Sequence, residues 1–334
     1  MRLLTCVLLL VACLPLAAEP LKVGDEAADF APGNWLNPPT FTSFAELRGD
    51  VILLKTWGIN NAECVKQLPE MNEYHKKPGL HVVSLYTEVH KFEDLEAAVT
   101  KHKIEYPIAL DSFWPAGYPG DVVPNVWIIG TDGKVKFIGT DFKAALDEEL
   151  AKLKYPGLGK DTVAKGAEAA AALFVQGKYA DAYKAAEAIM DDAATDDADW
   201  ITKRIDERVK ALANRAETAE AERRYDIAKA AWKELARYAG MEDAAQAAER
   251  LKKLNESAEV KKEQTARREL IKLQYVLAMA FRKINKDDAA ELKKFRERSM
   301  NDYQKFADKH KGTAAGDIAL ERVEDFKALL EESE

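Results

Sequence analysis

Proline disappears from this sequence after Pro156, and the stretches on either side of that point follow different periodicities. Before it, short β-branched and aromatic runs alternate with segments of helical spacing. After it, Ala, Glu, Lys and Arg dominate, and long helices meet no residue that both lacks the N–H and clashes inside a helix. Such a chain reads as an α/β unit followed by an all-helical one. Its 334 residues fit two domains. Tyr155-Pro156-Gly157-Leu158-Gly159 is the natural connection, and 155–162 reads as a linker.

In the first part, Val51 to Trp57 reads as a buried strand. A helix is expected over Asn61 to Lys76, a strand over His81 to Tyr86, a helix over Phe92 to His102 and a short strand over Tyr106 to Leu110. Asn125 to Ile129 and Lys134 to Ile138 flank Thr131-Asp132-Gly133, and Asp-Gly between two apolar runs signals a hairpin. Asp141 to Lys154 closes the unit as a helix. Strands alternating with helices and ending in a hairpin imply a mixed sheet covered on both faces.

The second part shows apolar residues at three- and four-residue spacing over Val163–Val175, Tyr179–Asp191, Trp200–Ala213 and Tyr225–Ala239. Further helices are expected over Arg267–Ile284, Ala289–Lys309 and Ala314–Leu330. Ala buries little area, so Trp200, Trp232, Tyr225 and Phe281 are expected to anchor this core. Gly177-Lys178-Tyr179-Ala180-Asp181-Ala182 and Tyr225-Asp226-Ile227-Ala228 resemble the turn between the paired helices of a tetratricopeptide repeat. The two Tyr residues are spaced more widely than that repeat's usual period of about 34 residues. An irregular helical bundle with Ala-rich contacts is the other reading. The acid-rich stretch Asp191 to Asp197 reads as a solvated loop and helix N-terminus.

Arg2 followed by an uncharged run from Leu3 to Ala18 is too short to span a bilayer and suits the core of a signal peptide, residues 1–18. Cleavage after Ala18 is one reading. The other is a lipoprotein signal ending at residue 12, because Leu10-Val11-Ala12-Cys13 resembles a bacterial lipobox and would make Cys13 the lipidated N-terminus. Either way the protein is expected to be exported, periplasmic or otherwise extracytoplasmic, with membrane anchoring only if Cys13 carries lipid. Of the three cysteines, Cys6, Cys13 and Cys64, only Cys64 lies beyond this segment, so no internal disulfide framework is expected. Net charge is −8, which argues against a nucleic-acid backbone binder. The five histidines, His75, His81, His90, His102 and His310, show no metal-ligand spacing, and no metal or cofactor is expected.

The stretch from Trp57 through Asn61 and Cys64 to Pro69 resembles the active-site segment of TlpA/ResA-type and redoxin-type thioredoxins. Their pattern is Trp, three residues, Cys, two residues, Cys, then Pro five further on. Trp57, Cys64 and Pro69 stand at the Trp, second-Cys and Pro positions, and Asn61 stands where the family has its first Cys. Val23-Gly24-Asp25 with Ala27, Asp29 and Phe30 looks like the redoxin N-terminal lead-in. Pro124 followed by the Gly133 hairpin is similar to the family's cis-proline loop, and the stretch between Cys64 and Pro124 leaves room for the strand–helix insertion of the TlpA-like branch. The resemblance covers about 22–154 and implies a thioredoxin-like fold there; the helical part, 163–334, lies outside it.

In the family the first Cys is a thiolate at a helix start, stabilised by backbone N–H groups and the helix dipole, and the second Cys resolves the mixed disulfide it forms. Asn61 cannot be a thiolate, but it is among the best N-cap residues. Glu63 suits the dipole yet places negative charge beside the remaining thiol. Cys64 has two readings: a small buried residue beneath the helix start, or a single thiol that forms mixed disulfides with a partner. The resemblance implies that the Val123–Pro124 bond is cis and that its loop offers backbone groups to an extended peptide. A peroxidase would need Thr three residues before the Cys, where Asn61 stands. The leading expectation is therefore a member of the thiol–disulfide oxidoreductase family lacking the nucleophilic cysteine and binding other proteins, through the helical domain and the Pro124 loop. The alternative is a single-cysteine oxidoreductase using Cys64 with a partner's thiol. The first unit is expected to fold alone when cut near residue 156.

Overall fold

A computed structural model describes residues 19–29, 34–88, 91–110, 117–118 and 122–332. The signal segment with Cys6 and Cys13, Phe30 of the lead-in and His90 lie outside them. The first unit holds a six-stranded sheet. Its strands are β1 (Trp35–Leu36), β2 (Val51–Trp57), β3 (Leu80–Tyr86), β4 (Ile108–Ala109), β5 (Asn125–Ile129) and β6 (Val135–Gly139), in the spatial order β1-β4-β3-β2-β5-β6. β2 runs parallel to β3, and β3 to β4; β1, β5 and β6 pair antiparallel to their neighbours. Helices α1 (Ala62–His75), α2 (Phe92–Lys101) and α3 (Lys143–Lys152) connect or follow these strands.

The central strands read as continuous apolar runs because both faces are buried. Val51, Leu53 and Trp57 share one face with Val82, Tyr86, Val126 and Ile128, under Leu68, Met71, Phe92 and Leu146 of the helices. Ile52, Leu54, Val83, Trp127 and Ile129 share the other. Among the described residues that second face is covered by no α-helix of the first unit. Phe44 and Leu47 of a 3-10 turn cover it, together with Leu21, Phe41 and Tyr118 from the loops. The hairpin turns at Asp132-Gly133, where Gly133 has φ 76°. The expected strand Tyr106 to Leu110 shortens to β4, since its partner β1 has only two residues, and β1 itself is a strand the sequence pattern did not reveal.

The second unit is helical: α4 (Glu168–Val175), α5 (Tyr179–Glu187), α6 (Thr195–Ala221), α7 (Tyr225–Leu235), α8 (Ala247–Glu256), α9 (Ala258–Phe281), α10 (Ala289–Lys309) and α11 (Ala314–Glu331). Several boundaries differ from expectation. α7 stops at Leu235, and a 3-10 turn over Ala236–Tyr238 replaces the helix expected to Ala239. α4 starts at Glu168, after a 3-10 turn over Lys165–Ala167. α5 stops at Glu187, short of Asp191. α6 is about twice the expected length, because the stripe Ala198, Ile201, Ile205, Val209, Leu212, Ala216, Ala219 continues past Ala213 on small residues. α9 begins at Ala258, where Ser257 caps it through the N–H of Val260 at 3.2 Å. α8 was not expected at all. Of the four expected anchors only Trp232 is fully buried, while Trp200, Tyr225 and Phe281 are half-buried. Phe174, Tyr179 and Tyr238 supply the rest, the last two stacked with ring centroids 4.1 Å apart.

The two units share packing. Leu158, in the connection, is buried in the helical core, and Trp200 Nε1 donates to its carbonyl at 2.7 Å. Gly49, with φ 91°, lets the connection lie so close that a Cβ there would stand 2.2 Å from the Gly159 Cα. Buried Asp50 accepts from the Gly157 N–H and bonds His81 Nε2 at 2.9 Å, with Arg208 of α6 3.6 Å away. Burial alone would raise its carboxyl; the His81 bond and the neighbouring donors and cations outweigh that and hold it below the ordinary range. Arg204 donates to the carbonyls of Gly157, Glu46 and Arg48 at 3.1–3.2 Å. Asp197, expected in a solvated stretch, instead holds Lys160 and the Ala164 N–H. On the far side, Ile271, Tyr275 and Met279 of α9 enter the first unit's own core beside Trp57 and Phe92.

Candidate functional site

The site forms where β2 ends and α1 begins, because a parallel strand delivers its C-terminal end beside the next helix's N-terminus. Asn61 caps α1: its Oδ1 accepts from the backbone N–H of Glu63 at 3.0 Å and of Cys64 at 3.1 Å. The other end of the same amide is also used. Asn61 Nδ2 donates to the carbonyl of Val123 at 2.9 Å, next to the cis Val123–Pro124 bond. One carboxamide thus ties the helix start to the proline loop. Thr56 secures that loop from below, its hydroxyl accepting from the Asn125 N–H at 2.8 Å and donating to the Val122 carbonyl at 2.9 Å.

Cys64 is fully buried and is the only cysteine among the described residues, so no disulfide-forming pair exists among them. Burial pushes its thiol up, and the Glu88 and Glu63 carboxylates push the same way. The Gly58 backbone N–H and the Lys55 ammonium oppose them without reversing the result. The thiol is therefore held neutral at pH 7 more firmly than a free cysteine, the opposite of what a nucleophile needs. Asn61, at the helix start, has no ionisable atom to offer instead.

Trp57 ends β2 with its indole N–H donating to Ser84 Oγ at 3.1 Å and its ring edge-on to Tyr86, 5.2 Å between centroids. Pro69 lies inside α1 on its exposed side, where it leaves the Val65 carbonyl without an intrahelical donor. Pro69 lies more than two turns along α1 from the Asn61 cap, while Trp57, Asn61, Cys64, Val123 and Pro124 come together.

Three residues at the site escaped the sequence reading. Lys55 is buried beneath α1 and donates to Gln67 Oε1, while Gln67 Nε2 donates to Glu63 Oε1 at 2.9 Å. Burial brings the Lys55 ammonium down to about 8, with Cys64, Glu63 and Glu70 pulling the other way. A lysine within the apolar run Val51–Trp57 was a readable signal. Gln67 was not, because its role depends on where Lys55 points. Glu88 was not either: its carboxylate accepts from the Asn60 N–H at 2.9 Å across a loop that only the fold closes. Among the described residues no group of three or more His, Cys, Asp or Glu could hold a metal ion. No helix among them is long and apolar enough to cross a membrane.

No family model matches the chain. Over 142 residues it is 26% identical to a thiol-disulfide oxidoreductase ResA of Bacillus cereus, an alignment covering 40% of this chain and 80% of that protein. ResA of Bacillus anthracis is 25% identical over the same shares. Solved structures similar to it include a secreted thiol-disulfide isomerase from Corynebacterium glutamicum, 19% identical, covering 37% of this chain and 83% of that one, with a TM-score of 0.32. Another is a DsbF homologue from Corynebacterium diphtheriae, 19% identical, covering 40% and 92%, with a TM-score of 0.30. The first unit has a thioredoxin-like fold, is similar over this stretch to ResA-type proteins, and has no disulfide-forming cysteine pair among its described residues.

Proposed function

We propose that this protein is an exported, extracytoplasmic relative of the thiol–disulfide oxidoreductases that has exchanged dithiol chemistry for protein binding, with Asn61 in place of the first cysteine. The observation that carries this reading is the double use of the Asn61 carboxamide. It satisfies the donors of the helix start that would otherwise stabilise a thiolate, and it fixes the proline loop through one lone pair of the Val123 carbonyl, leaving the other for an added peptide strand. Partner capture then falls chiefly to the helical unit, read as tetratricopeptide-like, with the Val123–Pro124 loop contributing. Membrane attachment enters only through lipid on Cys13.

An insulin disulfide-reduction assay tests this on the wild type and on Asn61→Cys. The wild type should show no activity above buffer and the variant should gain it. Turnover by the wild type would refute the reading. A second reading, a single-cysteine oxidoreductase, is favoured by Lys55, a buried cation beneath the helix that carries Cys64. It requires that capture of partners from an extracytoplasmic extract be lost in Cys64→Ser; the leading reading requires that capture persist.

A further inference from the structure

Helix α9 reaches the loop that closes over the site. Ile271, Tyr275 and Met279 recur every fourth residue, which places them on one helix face, and that face lies in the same apolar cluster as Trp57, Tyr86, Phe92 and Cys64. The Tyr275 ring sits 5.7 Å from that of Phe92 and 6.5 Å from that of Tyr86. Its hydroxyl donates to the carbonyl of Glu88 at 2.9 Å. Arg282, just past the helix end, donates to the carbonyl of Thr87 at 3.4 Å. Earlier on α9, Arg268 pairs with Glu96 and Lys272 with Glu93, both on α2. The side chains of Arg268, Lys272 and Glu93 are exposed and that of Glu96 is half-buried, so these pairs contribute orientation more than stability.

The other side of the same loop faces the site. The Thr87 N–H donates to the Trp57 carbonyl at 3.2 Å, and the Glu88 carboxylate accepts from Asn60. The Glu88 side chain lies so close over Gly58 that a Cβ there would stand 1.9 Å from its Cδ. Gly58 in turn offers its N–H to the Cys64 sulfur. Hydrogen bonds and direct packing thus run from α9 through residues 87–88 to residues 58–60 and Cys64.

We propose that α9 is a latch: by holding loop 87–88 down on residues 58–60, the helical unit keeps the Asn61–Cys64 site closed, and a partner that draws α9 aside opens it. This rests on the reading of the helical unit as the partner-binding part. The latch needs only local opening, which costs less than unfolding the sheet. Its polar hold on the loop is made of contacts to backbone carbonyls, but drawing α9 aside also withdraws Ile271, Tyr275 and Met279 from the first unit's core, so the opening partner must cover that apolar face.

The test uses the full chain and follows native-state alkylation by iodoacetamide at the Cys64 peptide by mass spectrometry. Tyr275→Phe keeps the ring and removes the hydroxyl, and should speed labelling about fivefold, the effect of one lost hydrogen bond. Trp232→Phe, in the helical core, is the control for general loosening. An unchanged rate in Tyr275→Phe, or equal acceleration in the control, overturns the latch, since exposure would then follow global opening. If labelling is too slow in every protein, amide exchange at Asn60 decides: faster in Tyr275→Phe supports the latch, equal overturns it. The partner-binding reading fails separately, by loss of capture in Cys64→Ser.

Discussion

The sheet unit and the helical unit each bury a tryptophan, Trp57 in one and Trp232 in the other, but they surround it differently. Around Trp57 the buried neighbours are Val, Leu, Ile, Phe, Tyr and Met with Cys64, drawn from β2, β3, β4, β5, α1, α2, α3 and α9. Around Trp232 much of the core is alanine, with Ala167, Ala170, Ala182, Ala186, Ala228 and Ala231 all buried. Alanine lets helices approach closely and costs no side-chain entropy, yet it buries little apolar area. The helical core must therefore draw its stability from long contacts and from a few large side chains. The sheet core has large side chains throughout, and still borrows three from α9. Elements that differ this much in composition are joined by exchange: Leu158 from the connection goes into the helical core, and Ile271, Tyr275 and Met279 come back.

The largest test of this contrast is to cut the chain at residue 156. Each fully buried side chain of this size contributes about 1.5–3 kcal/mol, so removing the α9 stripe strips on the order of 5 kcal/mol from the first unit. Whole domains have about 5–15 kcal/mol to lose. Residues 19–156 alone should thus unfold at markedly lower urea and expose apolar surface, against the sequence-based expectation of an independent domain. A cooperative transition at the midpoint of the full chain would show that α9 contributes nothing to this core. Next in size is Trp232→Ala. With alanine neighbours that cannot expand into the space, its loss should cost about 3–5 kcal/mol of the helical unit's stability by urea titration. Less than about 1 kcal/mol would mean that alanine contacts, not anchors, hold the bundle.

Much of the sheet unit was legible because its signals are local. Val51–Trp57 is an uninterrupted apolar run but for Lys55 and Thr56, Asp132-Gly133 is a turn dipeptide, and Asn61 announces a helix start by its own side chain. The Asn61–Val123 contact was legible only as a family expectation about neighbouring segments, since Val123 is far away in sequence. In the helical unit the signal is periodic but not punctuated. α6 outran its expected length because alanines at 216 and 219 continue the stripe without looking like core residues. α8 carries a stripe, Ala247, Leu251 and Leu254, but it is short, and the helix's polar residues outnumber these three. The face of α9 was visible as helical, but nothing local says that it faces Phe92 and not the bundle. Lys55 was visible as a letter; what it meets under α1 was not.

Lys55 also marks a difference in how the two units bury charge. Glu263 in the helical unit is buried against Arg223 and the Ala314 N–H, a paired arrangement. Lys55 has a neutral partner, Gln67, and its ammonium is depressed to about 8. The unfolded chain holds that proton up to about 10.4. Between those values the unfolded state binds more protons than the folded one, so stability rises with pH across the window, and the burial penalty is felt in full below it. Lys55→Met should therefore be more stable than the wild type at pH 7, by about 1–3 kcal/mol, and the advantage should shrink toward about pH 10. Urea midpoints of both proteins across that range supply the comparison, and an advantage that does not change with pH would show that Lys55 stays charged in the fold.

The smallest expected effect separates the two jobs of Asn61. Asn61→Ala removes both the cap acceptor and the donor to Val123, and should cost about 1–2 kcal/mol, within the range for a lost N-cap. Asn61→Asp keeps the acceptor, and its charge suits the positive end of the α1 dipole, but it cannot donate to the Val123 carbonyl and sets a carboxylate against it. If the cap dominates, Asn61→Asp should lie within about 0.5 kcal/mol of the wild type, because the dipole offsets the lost bond. If the tie to the proline loop dominates, it should be as unstable as Asn61→Ala. Our expectation is the first for global stability and the second for the loop. The chemical shifts around Val123 and Val122 should move in both variants alike, while the α1 amides move only in Asn61→Ala. Unmoved Val123 resonances in Asn61→Asp would show that the carboxamide serves the helix alone, and the case for Asn61 as a strap across the site would fall with it.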